Sequence, residues 1–280
     1  MYVSDQLVFV ELHKTAGSHL GRLLQQLVPG DQVGKHNIVP KHLYSRYILG
    51  SIRNPWDWYV SLWAFGCGGE GSVRHQVCRK ANFSYYWRQL NKEMGQTWLP
   101  PQVYWAQWQA DLKKPVDAWQ ASYADSNDPA CFQAWLKMLL NPERKYDVGE
   151  GFGFSPLSRH SGLLTYRYFK LFTDLQSGIY KKSLSTVNLA DLWSAHVITN
   201  AILRSERLED DLLAALKEAK IPITEDQESY VRSQRDARTN TSKRKSAAYY
   251  YNQECLDLVG ERESFIIDLH GYTPPVAPKQ

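Results

Sequence analysis

Residues Leu7–Leu27 read LVFVELHKTAGSHLGRLLQQL. LVFVEL (7–12) is an apolar run suited to a buried strand. HKTAGSHL (13–20) follows with small, hydroxyl and basic residues. Ala16, Leu20, Leu23, Leu24 and Leu27 then recur at helical spacing, and Pro29-Gly30 stops the helix. Strand, loop and helix in that order make a phosphate-binding geometry. The first helical N–H groups have no intrahelical partner, and the dipole adds partial positive charge there. Lys14 supplies a full charge, Thr15 and Ser18 supply hydroxyls, and Gly17 lets an anion approach the backbone. The bland alternative is an ordinary capped turn. The string is not GxxxxGK[ST], so it is not a Walker A loop.

Working outward, the next stretch is GDQVGKHNIVPKHL (30–43). Gly34–Val39 is expected to form a short strand broken by Pro40. His36 would then reach the same sheet edge as the loop, where open α/β sheets bind ligands. His42 is a rival at similar spacing. YILGSI (47–52) is a further buried strand, running into RNPWDWYVSLWAFG (53–66). Asn54 is a good N-cap, Pro55 suits N1, and Asp57 at N3 gives a capping-box-like start. Arg53 falls at the strand's carboxyl end and Ser61 about two turns into the helix. Both can face one anion, the guanidinium bidentately and the serine through one hydrogen bond.

HKTAGSHL resembles the 5′-phosphosulfate loop of sulfotransferases that use PAPS (3′-phosphoadenosine-5′-phosphosulfate). The likeness is especially to the group related to the heparan sulfate and Golgi-type carbohydrate enzymes, and the resemblance implies a soluble, bacterial-like member. IRNPWDWYVSLW (52–63) resembles the 3′-phosphate motif of the same superfamily. Trp58 departs from it, standing where many relatives carry a basic residue. RSERLEDD (204–211) resembles a further segment of the group, with Glu206 expected on a core arginine. TNTSKRKSAAYYY (239–251) resembles a loop that closes over the nucleotide.

The resemblance implies transfer of a sulfuryl group from PAPS to an acceptor, releasing PAP, with no metal required. It also implies roles for residues. Lys14 would neutralise the leaving group. Thr15, Ala16, Gly17, Ser18 and His19 would hold the 5′ phosphate, and Arg53 and Ser61 the 3′ phosphate. Ser242, Lys243 and Arg244 would close over the nucleotide. His36 is the expected general base, with His42, His13, His160 and Glu11 as alternatives.

The expected fold is α/β: a P-loop-like, mainly parallel central sheet flanked by helices. Residues 1–280 are read as a single domain, with 66–160 as a largely helical, Trp-rich insertion shaping the acceptor site. Most of the ten tryptophans lie between Trp56 and Trp135. They either pack this irregular region or line a cleft for a saccharide or other small acceptor. Asp128–Leu140 is its clearest helix. His196–Leu203 is expected as a core strand, followed by a helix capped by Ser205.

A hydrophobic content of 43% and a charged content of 22% are those of a globular protein. A net charge of +4 suits an anionic ligand but falls short of a nucleic-acid-binding stripe. No run approaches the ~18 apolar residues of a membrane span. The N-terminus shows no signal-peptide pattern, so the expected location is the cytoplasm. Cys67, Cys78, Cys131 and Cys255 match no zinc spacing. Free buried thiols are expected, with a Cys67–Cys78 disulfide as the alternative in an oxidising compartment. Two other classes compete: a P-loop kinase, which needs Mg²⁺ ligands, and a non-catalytic glycan- or nucleotide-binding module.

Overall fold

A computed structural model of the chain describes residues 1–82, 84, 101–235 and 244–276. Among these residues the chain forms an α/β structure with one five-stranded mixed sheet. The strands are β1 (Tyr2–Ser4), β2 (Leu7–Phe9), β3 (Gly30–Gln32), β4 (Tyr47–Ile52) and β5 (Ala201–Arg204), in spatial order β3-β1-β2-β4-β5. β2, β4 and β5 pair in parallel, whereas β1 pairs antiparallel with both β2 and β3. The sheet is therefore mixed where a mainly parallel one was expected.

The chain divides into two compact units. The first comprises Met1–Trp58, Arg167–Gln176 and Asn188–Ser242 and contains the whole sheet. β2 is buried along its full length, as a strand covered on both faces must be. On one face Leu7, Phe9, Leu49 and Leu203 pack with Leu20, Leu23, Leu24 and Leu27 of α1 (Gly17–Leu27). Leu208, Leu212 and Leu216 of the helix Leu208–Glu218 join them. Each such leucine is worth about 1.5–3 kcal/mol on burial. On the other face Phe172 lies close against Gly50 of β4.

Two expected strands take other forms. Gly34–Val39 is irregular, and the third strand is instead the exposed Gly30–Gln32. His196 ends the helix Leu189–His196, and only Ala201–Arg204 is strand. Ser205 opens a short 3₁₀ turn rather than capping the helix, its hydroxyl donating to the Ile52 carbonyl at 2.9 Å.

The second unit comprises Tyr59–Tyr166, Ser177–Val187 and Lys243–Gln280. The segment 66–160 thus belongs to a larger body that also takes in the C-terminal helices Gln253–Arg262 and Ser264–His270. Its helix Pro129–Leu140 has Asp128 as N-cap, the carboxylate accepting from the Ala130 N–H. Trp63, Trp119 and Trp135 are buried in it, whereas Trp105 is exposed and lies against Trp108. Trp87 and Trp98 lie outside the described residues. All four cysteines are free, and burial pushes the Cys67 thiol up to about 12 and that of Cys255 to about 11. No helix among the described residues is long and apolar enough to cross a membrane.

Candidate functional site

The loop between β2 and α1 lies in the first unit. Its conformation is set by what binds its carbonyls. The Val10 N–H extends the parallel ladder to the Leu49 carbonyl at 2.8 Å. The next four carbonyls each accept from a side chain. His36 Nδ1 binds the Glu11 carbonyl at 2.8 Å, and Thr15 Oγ1 binds that of Leu12 at 2.7 Å. Trp58 Nε1 binds the His13 carbonyl at 2.6 Å, and Arg53 Nη1 binds that of Lys14 at 3.3 Å. Each is a partial negative charge screened by a donor, which lowers the negative potential of the loop.

The backbone here is strained. Lys14 has φ 63 and Ala16 φ 62, on either side of Thr15. Left-handed residues with a side chain cost about 1–2 kcal/mol each. Four hydrogen bonds at about 0.5–1.5 kcal/mol each are of the size to offset that. Alternating left-handed residues turn successive N–H groups into a concave anion-binding nest. Ala16 is also the N-cap of α1, without a side-chain cap, and the first helical turn carries no acidic residue. Gly17 is required at this point. A Cβ there would run into the buried Glu11 side chain, its Cγ and Oε1 above all.

The expected ligand residues are placed as follows. Lys14 is half-buried and Ser18 exposed at the start of α1. The Thr15 hydroxyl is turned inward, with a second bond to Ser51 Oγ at 2.7 Å, so only its backbone remains for a phosphate. His19 is likewise directed inward. Its Nε2 meets Glu209 Oε1 at 3.0 Å, and its N–H bonds the Ala16 carbonyl at 3.0 Å. The phosphate contact expected of His19 is thereby taken up within the protein.

Arg53 stands at the carboxyl end of β4, beside the loop. Its Nε and Nη2 engage Asp57 Oδ2 and its Nη1 the Lys14 carbonyl. Three of a guanidinium's five N–H donors are so engaged, which leaves one on each terminal nitrogen for a phosphate. Asn54 caps α2 (Pro55–Cys67) through the Trp56 N–H at 3.1 Å. Glu206, expected on an arginine, accepts from the Asn54 N–H at 2.7 Å. Ser61 is buried on α2 but falls within the second unit, as does the half-buried Arg244. Ser242 and Lys243 lie outside the described residues.

His36 reaches the loop from a turn with φ 55 rather than from a strand. The Nδ1 bond to the Glu11 carbonyl selects the tautomer in which Nε2 is the acceptor. Its ring stacks on His13, centroids 3.4 Å apart and planes 13° from parallel. Burial lowers its pKa, and the Arg167 charge acts in the same direction, against the Glu11 carbonyl and carboxylate. The imidazole is thus neutral near pH 7. Among the rivals, His42 is exposed and His160 lies in the second unit on the Ser185 carbonyl.

Arg167 and the indole of Trp58 escape a reading of the sequence. Arg167 is buried, with its guanidinium 5.7 Å from the Trp58 ring centroid. The available signal was one arginine inside LLTYRYFKLF (163–172), with apolar or aromatic residues on both sides. Trp58, the departure from the resembled motif, supplies an N–H that holds the loop. Among the described residues no group of three or more His, Cys, Asp or Glu side chains is gathered as a metal site.

No family model, curated protein or solved structure matches the chain.

Proposed function

We propose that this protein is a PAPS-dependent sulfotransferase. The observation that carries the reading is the pinned, left-handed loop at the N-terminus of α1, with Arg53 of the β4 end bonded to it. A nest of N–H groups, a lysine and a neighbouring guanidinium suit a ligand with two separated phosphates. PAPS, when bound, supplies a sulfuryl group whose transfer to an acceptor hydroxyl releases PAP.

The chain's own residues would contribute as follows. Backbone N–H groups from Thr15 to Ser18 would hold the 5′ phosphate. Arg53 would hold the 3′ phosphate. Lys14 would face the negative charge that develops on the departing phosphate, a contribution typically worth about 10²–10³ in rate. His36, neutral and fixed through Nδ1, would take the acceptor's proton on Nε2, worth roughly 10²–10⁴. The acceptor class favoured by the reading is a saccharide.

Calorimetric titration with PAP, ADP and ATP in the absence of Mg²⁺ tests this. PAP should bind and ADP much more weakly, and Arg53→Ala should erase the preference. His36→Ala should bind PAP as the parent does and lose about 10²–10⁴ in turnover. Failure to bind PAP, or Mg²⁺-dependent binding of ATP in its place, overturns the reading in favour of a kinase.

A further inference from the structure

A second cluster of strain and charge lies wholly within the second unit. Gly149, Glu150 and Gly151 have φ 77, 57 and 80, three left-handed residues in succession. The two glycines suit this backbone, and Gly149 also leaves room for Gln76, whose Cγ would lie 2.7 Å from an added Cβ. Glu150 does not suit it. A glycine there would relieve the strain, so the glutamate side chain has to account for its own presence. Its carboxylate accepts from Ser72 Oγ at 2.7 Å, and its carbonyl from the Tyr166 hydroxyl at 2.6 Å.

Glu150 lines an open cavity of about 850 Å³ together with Arg74, His75, Gln76 and Arg79 of α3 (Ser72–Val77) and the residues just after it. The two arginines share a buried Nε that makes no hydrogen bond, and differ in their charge pairing. Arg79 is committed, to Asp111 at 3.2 Å and to Gln76 Oε1 at 3.1 Å. Arg74 rests its guanidinium 5.8 Å from the Tyr123 ring centroid. Its Nε is buried without a hydrogen-bond partner, and no carboxylate among the described residues pairs with it. The Nε itself is covered, so an oxyanion in the cavity would meet the rest of the guanidinium, whose charge no described carboxylate balances. A carboxylate on the same wall repels an anion but accepts hydroxyls. The wall therefore matches a ligand that offers both groups.

We infer that this cavity binds a small anionic polyol, its oxyanion at Arg74 and its hydroxyls at Glu150. The site does not depend on the nucleotide reading, since every residue in it belongs to the second unit.

Titration of the full chain with gluconate, glucose 6-phosphate and glucose tests the site. At least one of the two anions should bind once per chain with a Kd of about 1 mM or tighter. Which of them does so identifies the oxyanion as carboxylate or phosphate. Glucose should bind at least about tenfold more weakly, and Arg74→Met should weaken the anion about tenfold while PAP titration and circular dichroism stay as in the parent. Glu150→Gly should raise Tm by about 2–4 °C through relief of the left-handed strain and weaken the polyols without affecting acetate. No binding of either anion, glucose binding equal to theirs, an unaltered Kd in Arg74→Met, or a Tm in Glu150→Gly that does not rise would overturn the inference.

Discussion

In the first unit the interior is aliphatic. Leucines of α1 and of the helix Leu208–Glu218 meet Leu7, Phe9, Leu49 and Leu203 of the sheet. In the second unit it is aromatic, and its rings are tethered. Trp63 Nε1 donates to the Ser122 carbonyl at 2.8 Å, Trp135 Nε1 to the Tyr123 hydroxyl at 2.6 Å, and Trp119 Nε1 to Asp147 Oδ2 at 3.0 Å. Trp63 also meets Phe132 and Tyr250 edge-on, each at 5.4 Å between centroids. Burial of aliphatic groups is non-directional, whereas a buried indole needs its N–H satisfied. The first unit places many of its directional bonds at the end of the sheet, around one loop. The second uses them to hold its interior together. Removal of an interior polar group should therefore harm stability in the second unit, and removal of a loop-holding one the anion binding proposed for the first.

The largest effect should come from Glu263. It is fully buried and accepts from the Leu164 N–H at 3.1 Å, the Thr165 N–H at 2.9 Å, Thr165 Oγ1 at 2.6 Å and the Tyr59 hydroxyl. Glu263→Ala strands those donors and should cost about 3–5 kcal/mol in urea unfolding. A loss under about 1 kcal/mol, the net worth of one ordinary hydrogen bond, would break the comparison.

In the first unit Gly17→Ala should cost about 1–3 kcal/mol by overpacking against Glu11. The clash has a single main partner, so Glu11→Ala should restore much of the loss in a double-mutant cycle. Additive losses would mean that the loop resists Cβ for some other reason. Smaller still, Trp58→Phe deletes the N–H held by the His13 carbonyl and should cost about 0.5–1.5 kcal/mol of stability. The comparison is sharpened if the same variant loses anion affinity, measured by PAP titration, in excess of that.

The smallest effect is on pH dependence. Burial holds the folded His36 below the unfolded value of 6.5. The unfolded chain therefore binds a proton that the folded chain refuses, and stability falls as the pH drops below 6.5 and is flat above it. Unfolding of His36→Gln across pH 5–8, set against the parent, should lack that contribution. Identical slopes would remove His36 as its source.

Elements with local chemistry were legible in the sequence. Asn54-Pro55 announced the start of α2, the leucine spacing announced α1, and Asp128 capped its helix as its residue type suggests. β1 and β3 were not, because YVS and the exposed GDQ lie in no apolar run such as the one that marks the equally short β2. The strand expected at Gly34–Val39 failed because both Gly34 and His36 adopt a left-handed φ, which the glycine allows for and the histidine signals only weakly. The candidate site divides in the same way. Lys14, Gly17 and Arg53 could be found from motif and spacing. Arg167, the Trp58 indole bond and the inward commitment of Thr15 and His19 could not, since each is defined by a partner remote in sequence.

The loop at Glu11–Lys14 inherits its shape from elsewhere. Three of the four donors on its carbonyls come from His36, Arg53 and Trp58, which lie 25, 39 and 45 positions from the residues they bind. Its ordering is thus completed when the chain folds rather than when a ligand arrives. An anion meeting such a loop has no conformational entropy to extract from it, so capture should be limited by encounter and affinity should reside in the rate of escape. Changes in residence time should accordingly trace to substitutions far along the chain.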